Sequence, residues 1–94
     1  MNEAKLHEFM GKVVTDMGGA WMMAMVLIGD ELGLYKAMAD GKPITVDALA
    51  SRCHCHPRLV REWLDANAAS GYLETSDGAY RLPPEQAMAL ANEE

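Results

Sequence analysis

The fold is decided by the stretch GAWMMAMVLIGDELGLY, residues 19–35. From Ala20 to Ile28 it carries no polar side chain. A run this short cannot cross a bilayer, which needs about 20 apolar residues. We therefore expect it to form a helix that is buried in protein, with no membrane or targeting segment in the chain.

Two sets of apolar residues fall on different faces of this helix when it is wound at 3.6 residues per turn. The set predicted to face the core is Trp21, Met25, Ile28, Leu32 and Tyr35. The set left over for a partner is Met22, Met23, Val26 and Leu27. A small domain cannot easily cover both faces, and symmetric pairs are the commonest oligomers. We therefore predict a homodimer joined through the N-terminal helices.

Composition limits the possible functions. The chain has 94 residues, half of them hydrophobic, which is enough for one domain with its own core. Its net charge of -6 argues against general binding to nucleic acids or anionic membranes. Cys53 and Cys55 are too close in sequence for the disulfide framework of a secreted protein. We expect a cytoplasmic protein.

The first region, residues 1–42, is predicted to be helical. Asn2 can cap a helix that starts at Glu3 and breaks at Gly18-Gly19, and the next helix should stop near Gly33. The first helix has an apolar stripe that is interpreted as a core face. That stripe consists of Leu6, Phe9, Met10, Val13 and Met17.

The second region, residues 43–82, is predicted to be a helix-turn-helix followed by a hairpin. Thr45 can cap a helix over 46–52, and Pro57 suits the first position of the next helix. The apolar arc predicted for that second helix is Leu59, Val60, Trp63, Leu64, Ala66 and Ala68. Asp77-Gly78 is a hairpin turn that places Glu74 opposite Arg81. A C-terminal helix is predicted over 83–94, starting near Pro84. Taken together, the predicted elements indicate a fold that is mainly α with a small β-hairpin: a winged helix-turn-helix with extra N-terminal helices.

Three motifs carry a resemblance that covers essentially the whole chain. They are GDELGLY at 29–35, RLVREWL at 58–64 with ASGY at 69–72, and YRLPPEQA at 80–87. Together they resemble the N-terminal winged-helix domain of bacterial class I S-adenosylmethionine-dependent methyltransferases. The resemblance implies a domain that pairs two subunits and helps to wall the substrate pocket. It also implies a following Rossmann-like catalytic domain that binds the cofactor.

The chain departs from such enzymes in one respect. It has no strand, glycine-rich loop and helix of the Gly-x-Gly type, so no cofactor site is carried over to its residues. We expect it to be an N-terminal piece of an enzyme that lacks the catalytic domain. If the reading frame continues past Glu94 into such a motif, the enzyme interpretation holds, whereas a stop codon there favours a free-standing module.

The residues 53–56, CHCH, are the only candidate for a metal site. Cysteine and histidine are zinc ligands, but adjacent residues cannot easily face one ion, and the usual second pair is missing. We instead expect Cys55 to be a small core residue, with His54 and His56 at the surface. No constellation of residues indicates a catalytic site.

The alternative function is a stand-alone transcriptional regulator, because winged helices often read DNA with the second helix. Arg58 and Arg61 would then contact DNA. Glu62 and Asp65 follow them at a spacing of four and can neutralise them, and the hairpin tip at Asp77 is acidic. This pattern favours the methyltransferase accessory domain, since the fold alone supports both functions.

Overall fold

The computed structural model describes residues 1–91, and these form five helices and a three-stranded sheet. The helices are α1 (Glu3–Leu32), α2 (Leu34–Ala37), α3 (Val46–Cys53), α4 (Pro57–Ala69) and α5 (Pro84–Leu90). The strands are β1 (Ile44–Thr45), β2 (Glu74–Ser76) and β3 (Ala79–Arg81). The predicted class, a mainly helical winged helix-turn-helix, is confirmed. The last three residues of the predicted C-terminal helix lie outside the described residues.

Helix α1 begins and ends where the sequence predicts, but it does not break. Asn2 caps it, since its side chain accepts a hydrogen bond from the Lys5 amide at 3.1 Å. Gly33 ends it with a φ of 71°. The predicted break at Gly18-Gly19 is wrong: each glycine costs up to about 1 kcal/mol in a helix interior, but its neighbours still favour the helix. One helix of 30 residues therefore replaces the two predicted ones.

The continuous helix changes the shape of the molecule. Residues 3–14 extend beyond the rest of the domain, and the molecule as a whole measures 54 × 30 × 22 Å. The stripe predicted to be a core face is exposed, with Phe9 at 63% and Met17 at 66% of their possible area. This prediction is wrong because a helix without a break cannot fold back on the core.

The apolar run at 20–28 is too short to cross a bilayer, but it is part of a helix of 30 residues that is long enough. Among residues 1–91, α1 is the helix that could cross a bilayer by length and composition, with a mean hydropathy of 1.2. The core helix of a globular domain and a signal sequence can both meet this criterion. Here the C-terminal part of α1 packs on the domain through Met22, Met25 and Gly29, which are buried.

The face of α1 that packs on the core is only partly the predicted one. Met25 and Tyr35 are buried as predicted, and Ile28 is half-buried against the core. Met22 is 8% exposed, whereas Trp21 is 59% exposed. Leu32 is also exposed. The cause is Gly29, which lies against the rings of Trp63 and Tyr35 and turns its own side of the helix towards α4.

The helix-turn-helix forms as predicted, with one exception. Thr45 caps α3 by accepting from the Ala48 amide at 3.2 Å, and Pro57 is the first residue of α4. Val60, Trp63 and Leu64 are buried in the core. Leu59 was predicted in the same apolar arc but is 42% exposed, because it lies to one side of the buried residues.

The sheet has the order β1-β3-β2 and is antiparallel throughout. The predicted hairpin register is confirmed, since Glu74 pairs with Arg81 across the ladder. Their side chains form an ion pair at 2.6 Å. Strand β1 was not predicted: Ile44 pairs with Tyr80 and fixes the start of α3 to the wing.

Candidate functional site

Most of the exposed large apolar side chains of the described residues lie on one face of α1, which we call the outer face. Its large side chains are Leu6, Phe9, Met10, Val13, Val14, Met17, Trp21, Met23, Leu27 and Leu32, all of them exposed. Single exposed apolar residues are normal, but a contiguous face of this kind marks an interaction site. The outer face is therefore the candidate functional surface.

The four predicted interface residues do not share one environment. Met23 and Leu27 are on the exposed part of α1. Val26 is half-buried, and Met22 is buried in the core of its own domain. Sequence periodicity missed the exposure of Trp21, which depends on where the helix docks and not on its own pattern.

A groove lies between α1 and the turn that follows α4. It is an open groove of about 610 Å³ and is lined mainly by apolar or small residues. They are Thr15, Gly18, Gly19, Met22, Met23, Val26, Ser70 and Tyr72. Because Gly18 and Gly19 have no side chains, the helix surface there is open, with nothing within 4 Å of an ideal Cβ at either position. The groove could accept an apolar group from a ligand or another protein segment.

A buried polar network holds the groove in place. The Trp63 indole N–H donates to the carbonyl of Met25 at 2.8 Å. Asn67, which is fully buried, donates to the Trp63 carbonyl at 2.8 Å and accepts from the Tyr35 hydroxyl at 2.5 Å. Burial raises the pKa of Tyr35 to about 12, so the hydroxyl stays protonated and keeps donating. The network fixes α1 relative to α4, and sequence patterns gave no signal for Asn67.

The cysteine-rich turn offers little chemistry. Cys53 and Cys55 are half-buried, and the Cys53 thiol lies 3.8 Å from the Gly33 carbonyl. Burial raises the pKa of Cys53, which disfavours the reactive thiolate. Within the described part of the chain, no group of three or more potential ligands could hold a metal ion. His56 has a structural role: its Nδ1 accepts from the Arg58 amide at 3.1 Å and caps α4.

The outer side of α4 is the surface that would contact DNA. Arg58 and Arg61 are exposed there, beside Glu62 and Asp65. Neither predicted pair within α4 forms a salt bridge in the described part of the chain, in contrast to Lys12–Asp16 and Glu74–Arg81 elsewhere. Asp65 instead accepts a hydrogen bond from the Tyr80 hydroxyl, which ties the wing to α4. The outer side of α4 nevertheless carries two positive and two negative side chains, so it has no net charge to attract DNA.

Comparison with known proteins identifies the domain type. The family model Rv2258c-like winged HTH domain matches residues 20–92. The comparison with curated proteins found no match.

Three solved structures superpose on the chain. PigF with SAH is 28% identical, with a TM-score of 0.73, and the match covers 81% of this chain and 25% of that one. A protein assigned as an O-methyltransferase from Nostoc punctiforme is 21% identical, with a TM-score of 0.77 and coverages of 85% and 24%. The S-adenosylmethionine-dependent methyltransferase SibL in its apo form is 21% identical, with a TM-score of 0.72 and the same coverages of 85% and 24%. The two at 21% identity share the fold, and this chain spans about a quarter of the length of all three.

Proposed function

The chain belongs to the family of Rv2258c-like winged helix-turn-helix domains, and from this premise we propose that it is the N-terminal domain of an S-adenosylmethionine-dependent methyltransferase. In that role it joins two subunits through α1 and covers part of the substrate pocket. The observation that carries the pairing role is the exposed outer face of α1, which the domain does not cover by itself. A monomeric winged helix would have no need of this surface, and the link to a methyltransferase rests on the similarity to PigF.

The similarity to methyltransferases supports the first part of the proposal. PigF, the neighbour with 28% identity, aligns over most of this chain but only a quarter of its own. The remaining three quarters are where catalysis would take place. In this proposal the methyl donor binds there, and this chain contributes to the surroundings of the methyl acceptor.

The described residues do not fit the cofactor themselves. An S-adenosylmethionine site of this class needs a strand that leads through a glycine-rich loop into a helix. The one strand that runs directly into a helix is β1, and Ile44, Thr45 and Val46 stand at that junction instead of glycines. No catalytic step is therefore assigned to the described residues.

The groove beside Gly18 and Gly19 supports the covering role. Ligand pockets usually enclose about 300 to 1,000 Å³ and are mostly apolar, and the groove of about 610 Å³ falls in that range. It is open on one side, so a second protein surface is needed to close it. A catalytic domain or a second subunit would provide that surface.

Light scattering on the purified chain tests the pairing role. We expect a dimer at tens of micromolar protein, and a chain that stays monomeric there would contradict it. Sequencing the source gene beyond Glu94 tests the link to an enzyme. We expect the frame to continue into a glycine-rich strand-loop-helix, and a stop codon at that point would contradict the link.

A further inference from the structure

The outer face of α1 contains a regular seam. Its members are Leu6, Met10, Val13, Met17, Ala20, Ala24 and Leu27. They follow one another at alternating steps of four and three residues, which is the seven-residue repeat of two helices that pack along each other. The repeat is sustained from Leu6 to Leu27, which is three heptads.

All members of the seam are exposed in the isolated chain. The residues that dock α1 on its own domain, Met22, Met25 and Gly29, lie on a different side of the helix. The seam is therefore free along its length, and another helix can lie on it without displacing the domain.

We propose that the seams of two copies of this chain pack against each other in antiparallel orientation. The N-terminal half of each α1, with Leu6 and Met10, then covers Ala20 and Ala24 of the other copy. This inference rests on the proposed function, because it specifies how the two subunits are joined.

The sizes of the side chains favour the antiparallel orientation. In a parallel pair each seam residue meets its own copy, so Ala20 and Ala24 would face alanines while Met17 and Leu27 hold the helices apart. The gap left between the alanines would lose packing contacts. In an antiparallel pair, large side chains from one half fill the space above the small ones in the other half.

The exposed area is sufficient for a stable pair. The ten large apolar side chains of the outer face are each 38 to 69% exposed. Together they offer roughly 900 Å² in one copy, since an aromatic side chain has on the order of 150–250 Å² and an aliphatic one somewhat less. A stable interface needs about 800 Å² from each partner. The seam and its flanking residues Phe9 and Trp21 therefore provide enough area for a second copy.

A lipid bilayer is a poorer occupant for this face. A span of about 20 residues in α1 would have to include the exposed ion pair of Lys12 and Asp16, or else the acidic end at Asp30 and Glu31. Charged groups in the hydrocarbon region are costly. A second helix leaves these residues in water.

Distances between spin labels on the two copies test the orientation. Native Cys53 and Cys55 are first replaced by alanine, and one nitroxide label per chain is attached at Lys5→Cys or at Val14→Cys. Val14 is 69% exposed, so the label should not disturb the helix. At a rise of 1.5 Å per residue, the antiparallel pair places the two Lys5 labels roughly 30 to 40 Å apart and the two Val14 labels within roughly 20 Å.

A parallel pair would bring both sets of labels within roughly 20 Å, which would overturn the antiparallel proposal and leave the proposed function intact. A sample without any dipolar coupling, and monomeric in light scattering, would overturn both. A monomer whose α1 binds to phosphatidylcholine vesicles would point to the membrane as the occupant and would also overturn both.

A second experiment uses the small residues of the seam. The variant Ala20→Leu plus Ala24→Leu should raise the dimer dissociation constant at least tenfold, because the added side chains occupy space that the partner's Leu6 and Met10 fill. A parallel pair would instead be tightened as leucines close its gap. Ala89→Leu, at an exposed position of α5, is the control and should not change the dissociation constant.

Discussion

An ideal Cβ atom on Gly29 would lie 2.6 Å from Cζ2 of Trp63. The ring of Tyr35 lies equally close, and it packs edge-on against Trp63 with centroids 4.7 Å apart. Helix α1 therefore approaches α4 at a point where it has no side chain. The hydrogen bond from the Trp63 indole to the Met25 carbonyl, one turn away, completes the joint.

This joint predicts that Gly29→Ala destabilises the domain. Both contacts would be with rigid aromatic rings in the core, so the helix must shift. We expect a loss of about 1 to 3 kcal/mol in the free energy of unfolding, as for other overpacked sites. Urea denaturation followed by circular dichroism measures it.

Gly18→Ala is the matched control for this prediction. Gly18 is in the same helix, and its ideal Cβ meets nothing within 4 Å. The substitution should stabilise the domain by about 0.5 to 1 kcal/mol, the usual gain from alanine in a helix interior. Equal effects of the two substitutions would contradict the role given to Gly29.

Tyr35 predicts how stability depends on alkaline pH. Its pKa is raised from 10.0 to about 12 because burial disfavours the phenolate. Between these values the folded state retains a proton that the unfolded state has released, so stability is complete below pH 10 and is lost as the pH rises towards 12. The loss should be on the order of 1 to 3 kcal/mol.

The pH dependence of the urea midpoint between pH 9 and 12 measures this effect. Tyr35→Phe should flatten the alkaline loss, although Tyr80, whose pKa is also raised, contributes a part that remains. At neutral pH the same variant should cost about 1 to 3 kcal/mol, because it leaves the buried Asn67 oxygen without its donor. An unchanged alkaline loss in Tyr35→Phe would refute the assignment.

The sequence predicted the features that depend on local chemistry. The caps at Asn2 and Thr45 and the turn at Asp77-Gly78 follow from short-range hydrogen bonds and backbone preferences, and all are confirmed. The orientation of α1 was not predictable in this way. Trp21 and Met22 are adjacent apolar residues, and which one is buried depends on contacts with Trp63, far along the chain.

The other misses have the same origin. Strand β1 has only two residues, and it is a strand because Ile44 and Thr45 pair with Tyr80 and Ala79 of β3, which lie far along the chain. The outer face of α1 was identified as a surplus of apolar residues, but its extent was underestimated, because the sequence placed a break at Gly18-Gly19. Glycine weakens a helix without ending it when nothing else competes for the backbone.

The chain alone should not bind S-adenosylmethionine. No strand of the described residues leads into a glycine-rich loop, which the cofactor's nucleoside and carboxylate would require. Isothermal titration calorimetry with the cofactor should give no saturable heat up to millimolar concentration. A complete methyltransferase titrated in parallel is the positive control, and one-to-one binding by this chain would contradict the prediction.

The chain should also bind no duplex DNA specifically. The side chains on the outside of α4 balance in charge, and the net charge of -6 repels phosphate. A gel shift at physiological salt should show no defined complex. The opposite result, abolished by Arg58→Ala plus Arg61→Ala and retained in Lys5→Ala, would favour a transcriptional regulator.

A charge placed on the outer face of α1 should split the dimer. Met23 and Leu27 are exposed in the isolated chain, so Met23→Glu plus Leu27→Glu should leave the fold intact. In the dimer these carboxylates would be buried without partners, at a cost of several kcal/mol. A loss of about 4 kcal/mol corresponds to a roughly thousandfold weaker association. Light scattering at tens of micromolar should therefore find a monomer, whereas Leu59→Glu, on the exposed side of α4, should remain dimeric. A dimer that survives both glutamates would place the interface elsewhere.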